Sequence, residues 1–264
     1  MRTARVGLAG VGRVYVWEGG SLFIGRGGGR AMPHAHHALQ ITVGIGPEED
    51  PFVLHAVAHP AQVSRFALVP AHLRHTFDGR GGHIAHVFVA PESREGRALT
   101  ARHGSDAVID LRDEAGRNAA REWRRCFFSK ERDEDRAVRT ATSLVAELAR
   151  TAPAAATPDP RIDAARAHLA RNLAGKLSLA DTARVVHLSP GRFRHLFVEE
   201  TGTTFRSYVV WQRLLQATAA VMDGGNWTDA AHAAGFADSA HLSRSFRQMF
   251  GVSPTMIARD EPGL

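Results

Sequence analysis

Short hydrophobic runs, separated by Gly and Pro, fill the first part of the chain. Each run has the length of a β-strand, and turn-forming residues divide one run from the next. The runs are VYVW (14–17), SLFI (21–24), LQITVGI (39–45), FVLHAV (52–57), SRFALVP (64–70) and HVFVA (86–90). Many short strands at such spacing are typical of a β-sandwich or a β-barrel. We therefore expect an N-terminal domain built from β-strands.

The hydrophobic pattern changes to a helical one after about residue 92. Residues 113–150 are rich in Ala, Arg, Glu and Leu. Within them Trp123, Phe127, Leu144 and Leu148 recur at helical spacing, which predicts helices with one apolar stripe. Two interpretations of this stripe stand side by side. It packs against the β-domain of its own chain, or it forms the interface of a homodimer.

A Pro/Ala/Thr segment, TAPAAATPDP (151–160), has the composition of a linker. Residues 161–259 after it have a helical pattern throughout. The predicted fold class is therefore α+β multidomain, with a β-barrel-like domain, central helices and an all-α C-terminal domain. The predicted parts are a β-domain (1–95), a helical connector (96–150), the linker (151–160) and the all-α domain (161–264).

The C-terminal part contains an internal repeat, in which ADTARVVHLSPGRFRHLFVEETG (180–202) corresponds to TDAAHAAGFADSAHLSRSFRQMFG (228–251). Each copy predicts a short helix, a turn, a polar N-cap and a second helix. The N-caps are Ser189 and Asp238, and Pro190 suits the first turn of its helix because it lacks an N–H group. The repeat predicts two helix-turn-helix units, at about 178–198 and 227–248, joined by a long helix (207–222).

The second helix of each predicted unit has an inner and an outer face. Apolar pairs at i and i+4 face inward, and the outer face carries polar donors that can reach base edges and phosphates. The inward pairs are Phe193 with Phe197 and Leu242 with Phe246. The outer donors are Arg192, Arg194, His195, Ser239, His241, Ser243 and Arg244. This arrangement favours DNA binding over a simple helical bundle with solvated arginines.

These motifs resemble the DNA-binding domain of the AraC/XylS family of bacterial transcription regulators. The resemblance covers LSLADTA, LSPGRFRHLF, TGTTFRSYVVWQRLLQAT and WTDAAHAAGFADSAHLSRSFRQMFGVSP, which is nearly all of 161–259. It implies that the second helix of each unit enters the major groove. The DNA contacts that it implies are Gly191, Arg192, Arg194, His195, Ser239, Ala240, His241, Ser243 and Arg244. There are two departures: His187 stands at a turn position usually filled by a small residue, and Gly191 offers no side chain for reading bases.

Composition and charge agree with a globular protein that has an anionic partner. Hydrophobic residues make up 44% of the chain and charged residues 23%, and the formal net charge is +6. Cys126 is the single cysteine, so no intrachain disulfide can form, which fits a reducing cytoplasm. The sequence has no apolar stretch of about 18 residues. We expect a cytoplasmic protein without a membrane partner.

The stretch HAHHALQ (34–40) concentrates candidate ligand chemistry in the predicted β-domain. Residues 28–46 resemble the first motif of the cupin family, and residues 64–75 resemble its second motif more loosely. The resemblance implies that His34, His36, Gln40 and His75 meet inside a cupin-like barrel. Imidazoles in that arrangement could hold Zn²⁺, Fe²⁺, Ni²⁺ or Cu²⁺. Gln40 stands where metal-binding cupins have Glu, and the missing carboxylate weakens such a site.

The resulting hypothesis is a DNA-binding transcription regulator whose N-terminal domain binds a small-molecule effector. We expect His34, His36, Gln40 and His75 to line the effector pocket. Its expected partners are double-stranded promoter DNA, the effector and a second copy of the chain. No catalytic residue and no cofactor are expected, because the cupin-like motif has no carboxylate placed as a general base. Two alternatives remain open. One is a metal-responsive regulator that uses His34, His36 and His75, and the other is a cupin enzyme fused to a DNA-binding domain.

Overall fold

The computed structural model of the chain describes residues 10–57, 59–111, 114–129, 133–150 and 157–259. Ten strands and nine helices are found in these ranges. Residues 151–156 of the predicted linker lie outside them. None of the helices in the described ranges is both long and apolar enough to cross a lipid bilayer.

The strands form a seven-stranded and a three-stranded sheet. They are β1 (Gly10–Trp17), β2 (Gly20–Gly27), β3 (Leu39–Gly44), β4 (Phe52–Ala56), β5 (Gln62–Ser64), β6 (Phe66–Val69), β7 (His75–Asp78), β8 (His83–Val89), β9 (Ile109–Asp110) and β10 (Ile257–Arg259). The larger sheet has the order β10-β1-β2-β8-β3-β6-β9 and the smaller one the order β5-β4-β7. All six predicted strands are present, as β1, β2, β3, β4, β6 and β8. The other four have two to four residues each, too few to show an alternating pattern.

The helices follow the order that the sequence predicts. They are α1 (Arg94–His103), α2 (Glu114–Phe128), α3 (Glu134–Arg150), α4 (Pro160–Arg171), α5 (Leu179–Val185), α6 (Pro190–Thr201), α7 (Phe205–Met222), α8 (Trp227–Ala233) and α9 (Ser239–Phe250). One expectation needs correction, because the region 161–259 is not helical throughout. A 3₁₀ turn (Pro254–Met256) follows α9, and β10 then pairs in parallel with β1. The overall fold is α+β with a helical C-terminal domain, as predicted.

The central helices bury their apolar stripe against the β-domain of their own chain. Trp123, Leu144 and Leu148 are at most 3% exposed and share one hydrophobic cluster with residues of β2, β3 and β8. The indole Nε1 of Trp123 donates a 3.0 Å hydrogen bond to the carbonyl of Ala137, so its polar group is satisfied inside the core. This packing favours the first of the two interpretations. A homodimer stays a prediction, but this stripe is not free to form it.

The helical domain has one apolar cluster for each half. Phe193, Phe197 and Tyr208 belong to the first cluster, and Leu214 and Phe246 belong to the second. The long helix α7 contributes to both, since Tyr208 lies near its start and Leu214 lies further along it. The two halves are therefore held at a fixed spacing by one continuous helix.

The helical domain also docks directly on the β-domain. The backbone N–H of Met32 donates a 2.9 Å hydrogen bond to the carbonyl of Gly251, just after α9. Trp211 of α7 is 2% exposed, and its ring centroid lies 6.2 Å from that of Phe88 in β8. Phe88 also contacts the ring of Phe250 edge-on at 6.0 Å. The two parts of the chain thus share a packed, largely aromatic junction.

Candidate functional site

The first predicted helix-turn-helix unit consists of α5, a turn and α6. The side chain of Ser189 accepts a hydrogen bond from the N–H of Arg192, and Pro190 begins α6, as the sequence predicts. Between the helices His187 has a φ of 56°, in the left-handed region that favours glycine. Its side chain is exposed. The turn therefore imposes a strained backbone on a residue that gains no packing in return.

The second unit repeats this design with α8 and α9. Asp238 accepts from the N–H of His241 at the start of α9, and Gly235 supplies the positive φ of 81° at the turn. Leu242 and Phe246 are buried on the inner face of α9. Gly251 ends α9 in the left-handed conformation, as Gly202 ends α6. The predicted correspondence between the two units therefore holds for their caps and turns.

The outer faces of α6 and α9 carry the predicted DNA-contacting residues. Six of these residues are exposed and three are half-buried. The exposed ones are Gly191, Arg192, Arg194, His195, Ala240 and Arg244, and the half-buried ones are Ser239, His241 and Ser243. The ring of His241 contacts Phe236 edge-on at 5.2 Å, which restricts its reach toward DNA. A Cβ added at Gly191 would meet no atom within 4 Å, so this position is open to a close partner.

The four predicted pocket residues lie close together in the β-domain. Three of them, His34, His36 and His75, are at most 4% exposed, and one ring nitrogen from each lies within 4.8 Å of the others. Backbone pairing contributes to this arrangement, since His34 and His75 exchange two 2.9 Å hydrogen bonds between their main chains. Gln40 enters β3 next to them, with its Oε1 3.0 Å from Nε2 of His36.

The three imidazoles share one hydrogen-bonding pattern. In each, Nδ1 lies 2.7–2.8 Å from a main-chain carbonyl oxygen two residues away. The carbonyls belong to Met32, Ala38 and Leu73. Because a carbonyl only accepts, Nδ1 carries the hydrogen in the neutral ring and Nε2 is left with its lone pair. Nε2 of His75 is buried without a hydrogen-bond partner.

Burial keeps these rings neutral. Burial, together with the neighbouring His36, lowers the pKa of His34 from 6.5 to about 4. Burial and a neighbouring imidazole likewise lower the pKa of His36 and of His75 to about 3. At neutral pH the cluster therefore presents uncharged nitrogen lone pairs.

Two further residues join the cluster that the sequence analysis did not identify. Thr42 accepts a 2.9 Å hydrogen bond from Nε2 of Gln40, and its Oγ1 lies 2.8 Å from Nδ1 of His86. Burial lowers the pKa of His86 to about 3, with additional effects from the other imidazoles. The sequence could have predicted the place of Thr42, because residues two apart in a strand lie on the same face and Thr42 follows Gln40 by two. His86 is found only through the register, in which it stands opposite Thr42.

A cavity of about 120 Å³ lies beside this cluster, at the junction of the two domains. Its walls come from β-domain residues that include His34, Gln40 and His86, and from residues of α7 and α9. The helical contribution consists of Leu215, Thr218, Phe246 and Phe250, together with Val252 just after α9. His36 and His75 belong to the cluster but do not line the cavity. An occupant of this cavity would touch both domains at once.

The histidine cluster offers donor atoms for the metal that the cupin resemblance implies. Three neutral Nε2 atoms suit Zn²⁺, Ni²⁺ or Cu²⁺, and their Nδ1–H groups are held by carbonyls in the way that metal-binding imidazoles usually are. Oε1 of Gln40 faces the lone pair of His36 at 3.0 Å. Two acceptors at this distance repel each other unless a cation lies between them or the Gln40 amide is turned by 180°. The residues therefore fit an imidazole-preferring ion.

Comparison with known proteins adds to this geometry. Residues 182–260 match a family described as a helix-turn-helix domain. Over 107 residues the chain is 33% identical to the transcriptional activator RhrA of Rhizobium meliloti (strain 1021), covering 39% of this chain and 34% of that protein. It is 32% identical over 95 residues to the uncharacterized HTH-type transcriptional regulator YidL of Escherichia coli (strain K12), covering 36% and 32%. The chain thus spans about one third of the length of these curated relatives.

The fold of the whole chain is similar to that of ToxT from Vibrio cholerae. The TM-score is 0.58 at 10% identity, over 90% of this chain and 97% of that one. This similarity concerns the fold alone. Together with the geometry of α5–α9, the matches define the C-terminal part as a tandem helix-turn-helix domain. These matches agree with the resemblance of its motifs to AraC-type domains. The cupin resemblance of the β-domain stays a prediction.

Proposed function

We propose that the chain is a sequence-specific DNA-binding transcription regulator that responds to a small-molecule effector. The observation that carries the proposal is the docking of a tandem helix-turn-helix domain on a β-domain, with a cavity at the junction. The outer faces of α6 and α9 hold Arg192, Arg194 and Arg244 exposed, where they can reach phosphates and guanine edges. We assign DNA binding to these faces and no catalytic role to any residue.

The effector is assigned to the cavity between the domains. Its walls combine strands of the β-domain with α7 and α9, so the free energy of binding depends on how the domains are arranged. A ligand with such a dependence shifts the population of domain arrangements, and thereby how the helical domain presents its DNA-reading helices to DNA. Support comes from ToxT, which has been solved bound to an unsaturated fatty acid and to (E)-4-(8-methylnaphthalen-1-yl)but-3-enoic acid.

Fluorescence anisotropy tests the DNA-binding part of the proposal. The full chain should bind the DNA upstream of its own gene more tightly than a random duplex of equal length. Affinity should fall steeply with salt, because released counterions supply much of it. Replacing both Arg194 and Arg244 with Ala should remove the preference. Equal binding to both duplexes by the unmodified chain, at moderate salt, would contradict the proposal.

A second candidate function is metal-responsive regulation through His34, His36 and His75. The observation that favours it is the closeness of three neutral imidazoles, of which one ring nitrogen each lies within 4.8 Å of the others. Their Nδ1 atoms are bound to carbonyls, which leaves the Nε2 lone pairs available. Two titrations of the full chain test this function. The visible absorption spectrum reports binding of added Co²⁺, and calorimetry measures the stoichiometry of Zn²⁺ binding. One ion per chain, lost in His75→Ala but kept in the exposed control His55→Ala, would support this function. Equal binding by both variants would exclude the cluster.

A further inference from the structure

The cavity at the domain junction is lined without a formal charge. Among the described residues that form its walls there is no Lys, Arg, Asp or Glu. Its lining is mainly apolar and includes five phenylalanines, which are Phe23, Phe77, Phe88, Phe246 and Phe250. The polar part of the lining is small and consists of Ser21, His34, Gln40, His86 and Thr218. A charged group placed here would find no counter-charge in these walls.

Two hydrogen-bonding groups of the lining, His34 and Thr218, offer acceptors to a donor on the ligand. His34 uses its Nδ1 on the carbonyl of Met32, so its remaining ring nitrogen is an acceptor. Thr218 donates its hydroxyl hydrogen to the carbonyl of Leu214 at 2.8 Å, which leaves its oxygen as an acceptor. A carboxylate is an acceptor only, and it would face these acceptors while losing its hydration. Burying such an unpaired charge costs several kcal/mol.

The size of the cavity limits the ligand further. Its volume of about 120 Å³ is somewhat smaller than an engineered apolar cavity of about 150 Å³ that accepts benzene. One aromatic ring with a short substituent fills such a space, and a longer ligand would extend out of it through the open side of the cavity. The aromatic walls suit a ring, since offset and edge-on ring contacts add to the gain from burial.

We infer that the ligand of this cavity is an uncharged molecule with a single aromatic ring and a hydroxyl or N–H donor. The inference rests on the proposed function, which makes the cavity the effector site. It separates this chain from a regulator that binds an organic anion, because the walls hold aromatic surface but no Lys or Arg. The ligand contacts residues of the β-domain on one side. On the other side it contacts Thr218 of α7 and Phe246 and Phe250 of α9.

Calorimetry on the full chain tests the inference with matched probes. Phenol and benzyl alcohol serve as neutral single-ring donors, and benzoate and octanoate serve as anions. We expect binding of at least one neutral probe, with a Kd at least about tenfold below that of benzoate, which corresponds to about 1.4 kcal/mol. Benzoate or octanoate binding as tightly as the neutral probes would overturn the inference. So would a lack of binding by both neutral probes.

Two substitutions locate the binding. Ala31 lines the cavity and is 7% exposed, so Ala31→Leu should fill part of the space and weaken binding of the neutral probe at least about tenfold. Ala101→Leu, at an exposed position on α1, is the matched control and should leave binding unchanged. Unchanged binding in a folded Ala31→Leu variant would overturn the inference. If Ala31→Leu fails to fold, the comparison of probes on the unmodified chain still decides it. The anisotropy assay with upstream DNA reports separately on the proposed function.

Discussion

The backbone N–H of Met32 donates a 2.9 Å hydrogen bond to the carbonyl of Gly251. Met32 precedes the histidine cluster by two residues, and Gly251 caps the C-terminus of α9. A single hydrogen bond therefore joins the wall of the proposed effector site to the end of a helix proposed to enter the major groove. The side chain of His34 lies against the same glycine, because a Cβ added there would come within 2.6 Å of its Nδ1.

Replacement of Gly251 with Ala should therefore destabilise the junction as well as the helix cap. Gly251 has a φ of 69°, and a non-glycine residue in this region costs about 1–2 kcal/mol. The new methyl group would also overlap the main chain of Met32. Gly202→Ala is the matched control. Gly202 has a φ of 71°, but its nearest neighbour would be Nε2 of His72 at 3.5 Å, an ordinary contact.

Thermal unfolding of the two variants separates the two costs. Both should lower the midpoint, at roughly 2–4 °C per kcal/mol for a chain of this size. Gly251→Ala should lower it more, since only this variant forces the domains apart. Equal losses in the two variants would show that the contact between Met32 and Gly251 contributes nothing measurable to the docked state.

Arg194→Ala and Arg244→Ala should each weaken binding to the upstream DNA by roughly 1–3 kcal/mol if the arginine contacts a guanine edge in two places. A loss that is equal on all sequences, with a smaller salt slope, would instead indicate a phosphate contact. Arg139→Ala is the control, because Arg139 is an exposed arginine of α3, away from both reading helices. Anisotropy titrations on specific and random duplexes measure each case. Unaltered affinity in both α6 and α9 variants would remove these helices from the DNA interface.

His187→Gly should leave the stability unchanged or raise it by up to about 1 kcal/mol. Its φ of 56° is strained for histidine and free of strain for glycine, while the greater freedom of glycine in the unfolded chain offsets part of the gain. Gly235→Ala is the opposite change at the same turn position of the second unit and should destabilise. Differential scanning calorimetry compares them. A clear drop in the midpoint of His187→Gly would mean that the imidazole makes a specific stabilising contact.

Glu92→Gln should weaken the contact between the β-domain and α4. The carboxyl group of Glu92 is 2% exposed, with Oε2 2.9 Å from Nε2 of His37 and Oε1 3.5 Å from Nη2 of Arg166. Hydrogen bonds and ion pairs of a charged, buried group contribute roughly 1.5–3 kcal/mol. Asp163→Asn is the control, since Asp163 pairs with the same Arg166 at 3.1 Å but is 49% exposed. Similar small losses in both variants would argue against a role of Glu92 in docking.

The stabilisation by Glu92 should also depend on pH. Burial raises the pKa of Glu92, but the hydrogen bond from His37 and the charges of His37 and Arg166 lower it by more, to below its ordinary value of 4.5. A carboxyl group with a lowered pKa stabilises the fold above its ordinary pKa and loses this effect as the pH falls through the lowered value. His72 and Tyr208 are the other titratable groups that interact with it. The stability difference between the unmodified chain and Glu92→Gln should shrink below pH 4.5.

The sequence by itself determined the two helix-turn-helix units, because their signals are local. Each signal acts within a few residues, so the pattern predicts the structure without knowledge of any distant contact. The signals are the N-caps Ser189 and Asp238, the helix-starting Pro190 and the apolar i, i+4 pairs. The repeat made the prediction stronger, because it places His187 at the turn position where the second copy has Gly235. Both residues have a positive φ in the structure. The hydrophobic runs of the longer strands were informative for the same reason.

Only the tertiary structure decided how the parts meet. Thr42 and His86 join the histidine cluster through a strand register, and Leu215 and Phe250 close the cavity from helices far along the chain. Such contacts depend on how whole faces pack, and no single local pattern encodes them. The apolar stripe around Trp123 shows the same limit, since its periodicity fitted a dimer interface and the core equally well. In the folded chain the stripe packs against β2, β3 and β8, and this contact between distant segments cannot be read from the periodicity alone.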